Sequence, residues 1–295
     1  MAVAPTDVAV PGALEAITGP AAEPRGRWRS RLGLWIPVGL LALIFFLCFV
    51  WPLMGPVGSP TGGNILNSNL PIGSPGHILG TDQVGNDEWS RLLYGGRASL
   101  EIALAVNALG IVVGGLLGAL AGYLGGWRDS VIMRVLDVFI AFPALVLAIA
   151  IAEGLGPSEV HTIWALTFFS VPAFARLARA ETLRIRELNF IAAAGLSGTG
   201  HFRTLVRHVA PNIMPPLMTF ALLGMGIIIV LEGALSFLGL GVPPPAPSWG
   251  NMISSGESVL SVQPRFVFIP SAALFITVVS FNLLGDALRS RWSQQ

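Results

Sequence analysis

The residues with the means to do chemistry gather in an island at 189–217, NFIAAAGLSGTGHFRTLVRHVAPNIMPPL, which is basic and broken by glycines. Within it Gly195, Leu196, Ser197 and Gly198 spell G-x-S-G, and His201 and His208 follow closely, the parts of a serine nucleophile and its base. Acyl transfer needs that base held within hydrogen-bond reach of the hydroxyl. Thr199, Gly200, Arg203 and Arg207 surround the serine with polar neighbours, so nothing in the pattern buries such a pair. The same island also reads as a docking element. Leu188, Ile191, Ala192 and Gly195 recur at i, i+3, i+4 and i+7, one face of a short helix. Phe190 and Leu196 flank that face, and glycines at 198 and 200 stop it. A small apolar face suits a groove in a soluble protein; it also suits a helix lying at lipid headgroups with arginines on phosphates.

Other chemistries lack their parts. All 17 basic residues are arginines, so neither a phosphate-binding lysine nor a Schiff-base lysine is available within this chain. Cys48 is the single cysteine, which rules out an intrachain disulfide and a cysteine zinc site. His77, His161 and the pair His201 and His208 lie on different loops or sides, which argues against a shared metal site. No G-x-x-x-x-G-K-[ST] nucleotide motif occurs.

The elements that must position the island are apolar. Hydrophobic residues make up 53% of the 295, charged residues 11%, and the net charge is +1. Mean hydropathy is +0.72. A soluble domain carries about 25% charged residues, so the composition is that of a membrane protein and gives no reason to expect a nucleic-acid partner. A bilayer core of about 30 Å needs roughly 20 helical residues. Six spans answer that need, at 32–54, 97–127, 130–152, 160–182, 209–238 and 266–288. Helices are required because lipid cannot satisfy backbone groups, and the short alternating segments of a β-barrel are absent. A disordered tail is expected at 1–31, outer loops at 55–96 and 239–265, and a short helix at 188–200, within a core of 97–291. With the N-terminus inside, arginines 25, 27, 29, 31, 128, 134, 176, 179, 184, 186, 203, 207, 289 and 291 are inner, and 91, 97 and 265 are outer, fourteen against three. That bias places both termini in the cytoplasm. Gly110, Gly114, Gly118, Gly122 and Gly126 draw a stripe that lets another helix approach closely, within this chain or from a partner.

Ionisable groups inside spans carry functional weight because lipid makes them costly. Asp137 has Arg134 three residues earlier as a same-face partner, and Asp286 has Arg289 three residues later. Glu232 has no basic residue at i±3 or i±4, so it is expected to face a cavity or a partner subunit. Asn107 and Asn282 are expected as hydrogen bonders between helices, along the pathway or the subunit interface.

Four further stretches complete a pattern: LGTDQVGNDEWSRLLYGGR at 79–97, AGYLGGWRDSVIMRVLDVFIAFP at 121–143, LEGALSFLGLGVPPPAPSWGNM at 231–252 and FNLLGDALR at 281–289. With Ala192, Ala193, Ala194 and Gly198, closed by Val209, Ala210, Pro211 and Asn212, the chain from 79 to 289 resembles the permease subunits of bacterial ABC importers, the dipeptide/oligopeptide C type. The resemblance implies an all-α polytopic membrane protein with six transmembrane helices, a type I importer permease fold and a cytoplasmic coupling helix. It implies a bacterial cell membrane location and a non-catalytic transport subunit. The implied partners are a homologous B-type permease, one or two ABC ATPase subunits, an extracytoplasmic solute-binding protein, a peptide substrate and membrane lipid. ATP and Mg would be bound by the ATPase subunits, with no cofactor in this chain. Leu188, Phe190, Ile191, Ala192, Ala193, Gly195, Leu196 and Gly198 would couple to the ATPases. Asp82, Asp87, Glu88, Trp89 and Trp249 would meet the binding protein. Two departures stand out: Ala192 occupies the position of the family's coupling-helix glutamate, and Asn86 that of an outer-loop arginine. Relatives of this type carry dipeptides, oligopeptides, glutathione, nickel or haem, and the solute stays open. The alternative is a stand-alone secondary transporter driven by an ion gradient.

Overall fold

A computed structural model describes residues 27–55 and 57–292. Helix α1 runs Arg27–Phe45 and continues through a π-helical turn, Phe46–Val50, into Trp51–Met54. Helix α2 runs Glu88–Leu109, passes a second π turn at Gly110–Gly114 and ends with Gly115–Leu124. Then come α3 (Gly126–Ile140), α4 (Ala144–Leu155), α5 (Glu159–Arg186) and the short α6 (Asn189–Leu196). Helix α7 opens at His201–Thr204, crosses a π turn at Leu205–Val209 and runs on through Ala210–Phe237. Helices α8 (Trp249–Glu257) and α9 (Arg265–Trp292) close the chain. Five helical spans are long and apolar enough to cross a membrane, and α3 with α4, bent by 81°, makes a sixth if the pair is one span.

The boundaries differ from expectation for local reasons. The second span starts at 88 rather than 97, because the Asp87 carboxylate caps it by accepting from Ser90 N at 2.8 Å. An Asp at this position satisfies one of the orphan donors of the first turn. The third span is broken at 141–143, where Pro143 leads into α4. Residues 27–31 are helical, against the expected disorder; the rest of the expected tail lies outside the described residues. The fifth span begins at 201, and its π turn ends just before Pro211, Pro215 and Pro216. The outer loop at 239–265 holds α8, whose start carries a capping box: Asn251 N donates to Ser248 Oγ at 3.3 Å and Ser248 N to Asn251 Oδ1 at 2.9 Å.

Helix α7 lies at the centre, packed on α9, α2, α8 and α5, while α1 leans on α9 from outside. The glycine stripe of α2 is used inside the chain. A methyl group at 118 would run into the Ala175 backbone and the Ala178 side chain. One at 122 would stand 2.9 Å from Arg179 O. Gly110 and Gly114 face Ser170, Val171 and Phe174 in the same way, so α2 and α5 touch backbone to backbone. Gly126 lies past the end of α2, at the start of α3, and a methyl group there would meet nothing within 4 Å.

Candidate inner coupling surface and outer cleft

At the end of the bundle expected to face the cytoplasm, α6 is a bracket hung between α5 and α7. Leu188 N donates to Ile185 O at 3.0 Å, and Ile191 N to Leu188 O at 3.0 Å, so the chain turns straight out of α5 into α6. Ile191, 8% exposed, packs with Ile185, Val209 and Ile213. Ala194 is also buried. The helix ends where Thr199 N reaches back to Ala194 O at 3.1 Å across Gly198, whose φ is +73°. That left-handed position is where a glycine terminates a helix at least cost. The face turned to solvent carries Leu188, Ala192, Ala193 and Leu196, the last 91% exposed. Phe202 and Val206 of α7 stand exposed on the inner side as well, and Phe190 is partly exposed beside His208. Ile191, expected on the docking face, is therefore an anchor; the free face is rotated by one residue, about 100°.

The catalytic reading of the island fails on geometry. Ser197 Oγ donates to Ala193 O at 2.8 Å, and His201 Nδ1 pairs with the Tyr123 hydroxyl at 3.1 Å. No base addresses the serine. Nearby arginines tie helices together: Arg179 makes a bidentate pair with Asp129 at 2.6 and 2.7 Å, and Arg186 Nη1 donates to Gly122 O at 3.0 Å. Asp137 is exposed and pairs with Arg176 of α5 at 2.6 Å, not with Arg134 of its own helix.

Three of the intramembrane polar residues, Glu232, Asn107 and Asn282, lie against neighbouring helices, whereas Asp137 and Asp286 are exposed. Glu232 is fully buried; its Oε1 accepts from Ser236 Oγ at 2.7 Å, Ser99 of α2 and Ser248 before α8 approach it, and Oε2 has no partner. Among the described residues it is enclosed by protein, with no exposed surface. Asn107 is buried, donating to Ala103 O at 2.9 Å and to Met225 Sδ at 3.4 Å. Asn282 is half-buried on α9 beside Gly226 of α7. A cavity of about 490 Å³ opens between α5, α7 and α9, lined by Leu177, Glu181, Arg184, Phe220, Leu223 and Arg289 among others.

At the opposite end, expected to face outward, the loop before α2 is tied to itself and to α9. Asp82 accepts from Val84 N, Asn86 N and Asn86 Nδ2 at 2.8–2.9 Å. Asn86 Oδ1 accepts from Gly63 N at 2.8 Å, so the short amide at the position expected for arginine is a buried staple. Arg265 Nη2 donates to Leu70 O at 2.7 Å. Asp87 caps α2 and pairs with His77 at 2.9 Å. Trp249 is buried, with its indole N–H on Leu92 O at 3.0 Å, and cannot meet an outside protein. Glu88 is also buried, on the floor of a cleft of about 320 Å³ walled by the 82–86 turn, Arg91, Pro244–Ala246, α8 and Phe266. Trp89 is half-buried.

Residues 114–294 match the family described as the binding-protein-dependent transport system inner membrane component. The chain belongs to this family. The permease is 42% identical over 216 residues to the glutathione transport system permease protein GsiD of Pectobacterium atrosepticum, covering 73% of this chain and 72% of that one. It is 35% identical to the dipeptide transport system permease protein DppC of Alkalihalophilus pseudofirmus, over 85% of this chain and 83% of that one. A solved chain of the MetNI methionine ABC transporter, from inward-facing conformations, shares the fold with a TM-score of 0.55 at 16% identity, covering 68% of this chain and 95% of that chain. The permease is thus a helical multi-pass membrane protein of an ABC transport system.

Of the expected site residues, the permease brings Asp82, Asp87 and Glu88 together at one outer turn, and 188–198 at one inner bracket. It separates Glu232, Asn107 and Asn282 from Asp137, burying the first two while Asp137 lies at the surface. The sequence reading missed Arg265 as the clasp of the outer loop and Phe202 as exposed inner surface. Arg265 carried no local signal, since its partners are carbonyls about 190 positions away in sequence, 195 for Leu70 and 186 for Leu79.

Proposed function

We propose that this permease forms one half of the translocation pathway of an ATP-driven importer for peptides, beside a homologous B-type permease, with both termini cytoplasmic. ATP and Mg belong to ABC ATPase subunits that dock beneath α6, and a soluble binding protein delivers the solute from outside. The observation that carries this reading is α6. Ile191 and Ala194 anchor it to the bundle while Leu188, Ala192, Ala193 and Leu196 remain uncovered on the inner side. A motor held on other polypeptides changes a membrane conformation only through a contact that differs between its states, and a short rigid bracket between α5 and α7 is suited to transmit it. The peptide class is supported by relatives named for glutathione and dipeptide transport, solutes that share a peptide bond. Ala192 leaves that contact without the acidic side chain, so the docking here is apolar. The test is purification of the native complex and uptake of labelled dipeptide into proteoliposomes. Co-purifying nucleotide-binding subunits and vanadate-sensitive uptake are expected. Vanadate-insensitive uptake, with no such subunit present, would establish a secondary transporter instead.

A further inference from the structure

The outer cleft has an open acceptor at its floor. Its other buried polar lining is spent on the protein itself. Asp82 takes three donors from Val84 and Asn86 and lies 3.6 Å from Arg91. Arg91 also donates to Pro60 O at 3.2 Å. Asn251 holds Val242 O and Ala246 O and accepts from Ser248 N. Ser255 donates to Asn251 O. The exception is Glu88: the residue is 7% exposed, and among the described residues no group donates to its carboxylate. Arg91 and Arg265 stand near it, beyond ion-pair distance and committed to other oxygens. A buried carboxylate with no donor is costly, and here it faces a cleft and not packed protein.

The apolar part of the lining is Met252 and Phe266, both buried, with Pro244 and Pro245, both exposed. Gln83, Val84 and Ala246 complete an exposed mouth. A cleft with apolar contacts along part of its wall and a carboxylate that receives no donor matches a side chain with a methylene stem and a cationic head. A peptide's own terminal ammonium sits against its bulky backbone and has no stem with which to reach the floor. We propose that this cleft is a socket for one lysine or arginine side chain presented by the soluble binding protein, with Glu88 as its counter-charge. The proposal rests on the reading that such a protein docks on the outer face, and it assigns the contact that fixes its register there.

The experiment measures association of the binding protein with the complete transporter held in nanodiscs, by interferometry. Glu88→Gln keeps shape and removes charge; Val84→Arg places a competing cation at the mouth. Both are expected to speed dissociation about tenfold, as loss of a charge-assisted contact does. Alanine substitution of surface lysines and arginines on the binding protein should find one whose loss costs the same tenfold against the wild type and nothing further against Glu88→Gln. Wild-type kinetics in both variants, or the absence of any such coupled residue, overturns the socket, including the case where Glu88→Gln alters only the KM for free peptides. A wild-type transporter that captures no binding protein overturns the docking reading and the socket with it.

Discussion

Two side chains, one absent and one buried, show how tightly single positions are constrained. Gly118 lies against the Ala175 backbone, so Gly118→Val drives three carbons into packed protein. Overpacking of this kind costs about 1–3 kcal/mol. Thermal unfolding in detergent should show a clear fall in Tm, whereas Gly154→Ala, on α4 with open space around it, should leave Tm unchanged or slightly higher. Glu232 presents the opposite case. Its carboxyl is enclosed by Ser236, Ser99 and Ser248, with one oxygen unsatisfied. Glu232→Gln keeps the shape and the contact to Ser236 while removing the cost of burying a carboxylate. Uptake is expected within about threefold of wild type, with Tm equal or higher. Glu232→Ala leaves a hole among three hydroxyls and should lower stability by about 2–4 kcal/mol. A Glu232→Gln protein that folds but no longer transports would reinstate the cavity role that its burial argues against.

Among the elements, α6 separates anchoring from docking. Leu196→Asp adds a charge to a surface already in water, so the permease should express and unfold as wild type yet lose most stimulation of ATPase activity by solute-loaded binding protein. Ile191→Asp buries a lone carboxylate among Ile185, Val209 and Ile213, and should reduce the folded yield before any activity is assayed. The reverse pattern, with Leu196→Asp unstable and Ile191→Asp merely uncoupled, would turn the helix over. The sequence predicts a short helix over 188–200; the structure has it end earlier, at Leu196, just before Gly198, which takes a left-handed backbone. The sequence did not reveal which face is free, because alanines outline both faces and the choice is made by α5 and α7. Other elements divide on the same line. Apolar spans stand out because lipid imposes length and composition together. The first nine residues of α2 were hidden by Glu88, Arg91 and Arg97, whose charges read as loop until Asp87 is seen capping the helix. The break at 141–143 was hidden because Ala141 and Phe142 are as apolar as the spans they separate.

At the scale of the whole molecule, the arginine bias predicts which end of the bundle faces the cytoplasm, and that orientation can be tested. The loop before α2 and the turn around α3 lie at opposite ends of α2, which spans 37 residues with its second half, Glu88–Leu124 in full. At about 1.5 Å per residue that is longer than a bilayer core is thick. The chain's own thiol does not interfere, since Cys48 is buried in the core. Leu66, 86% exposed on the outer loop, and Ser130, exposed at the start of α3, are therefore clean reporters. In right-side-out vesicles a membrane-impermeant maleimide should label Leu66→Cys at once and Ser130→Cys only after the membrane is opened; in inverted vesicles the order reverses. Labelling of both from the same side would contradict the helix count between them. The opposite order would invert the molecule, placing α6 outside, away from any ATP, and the outer cleft within.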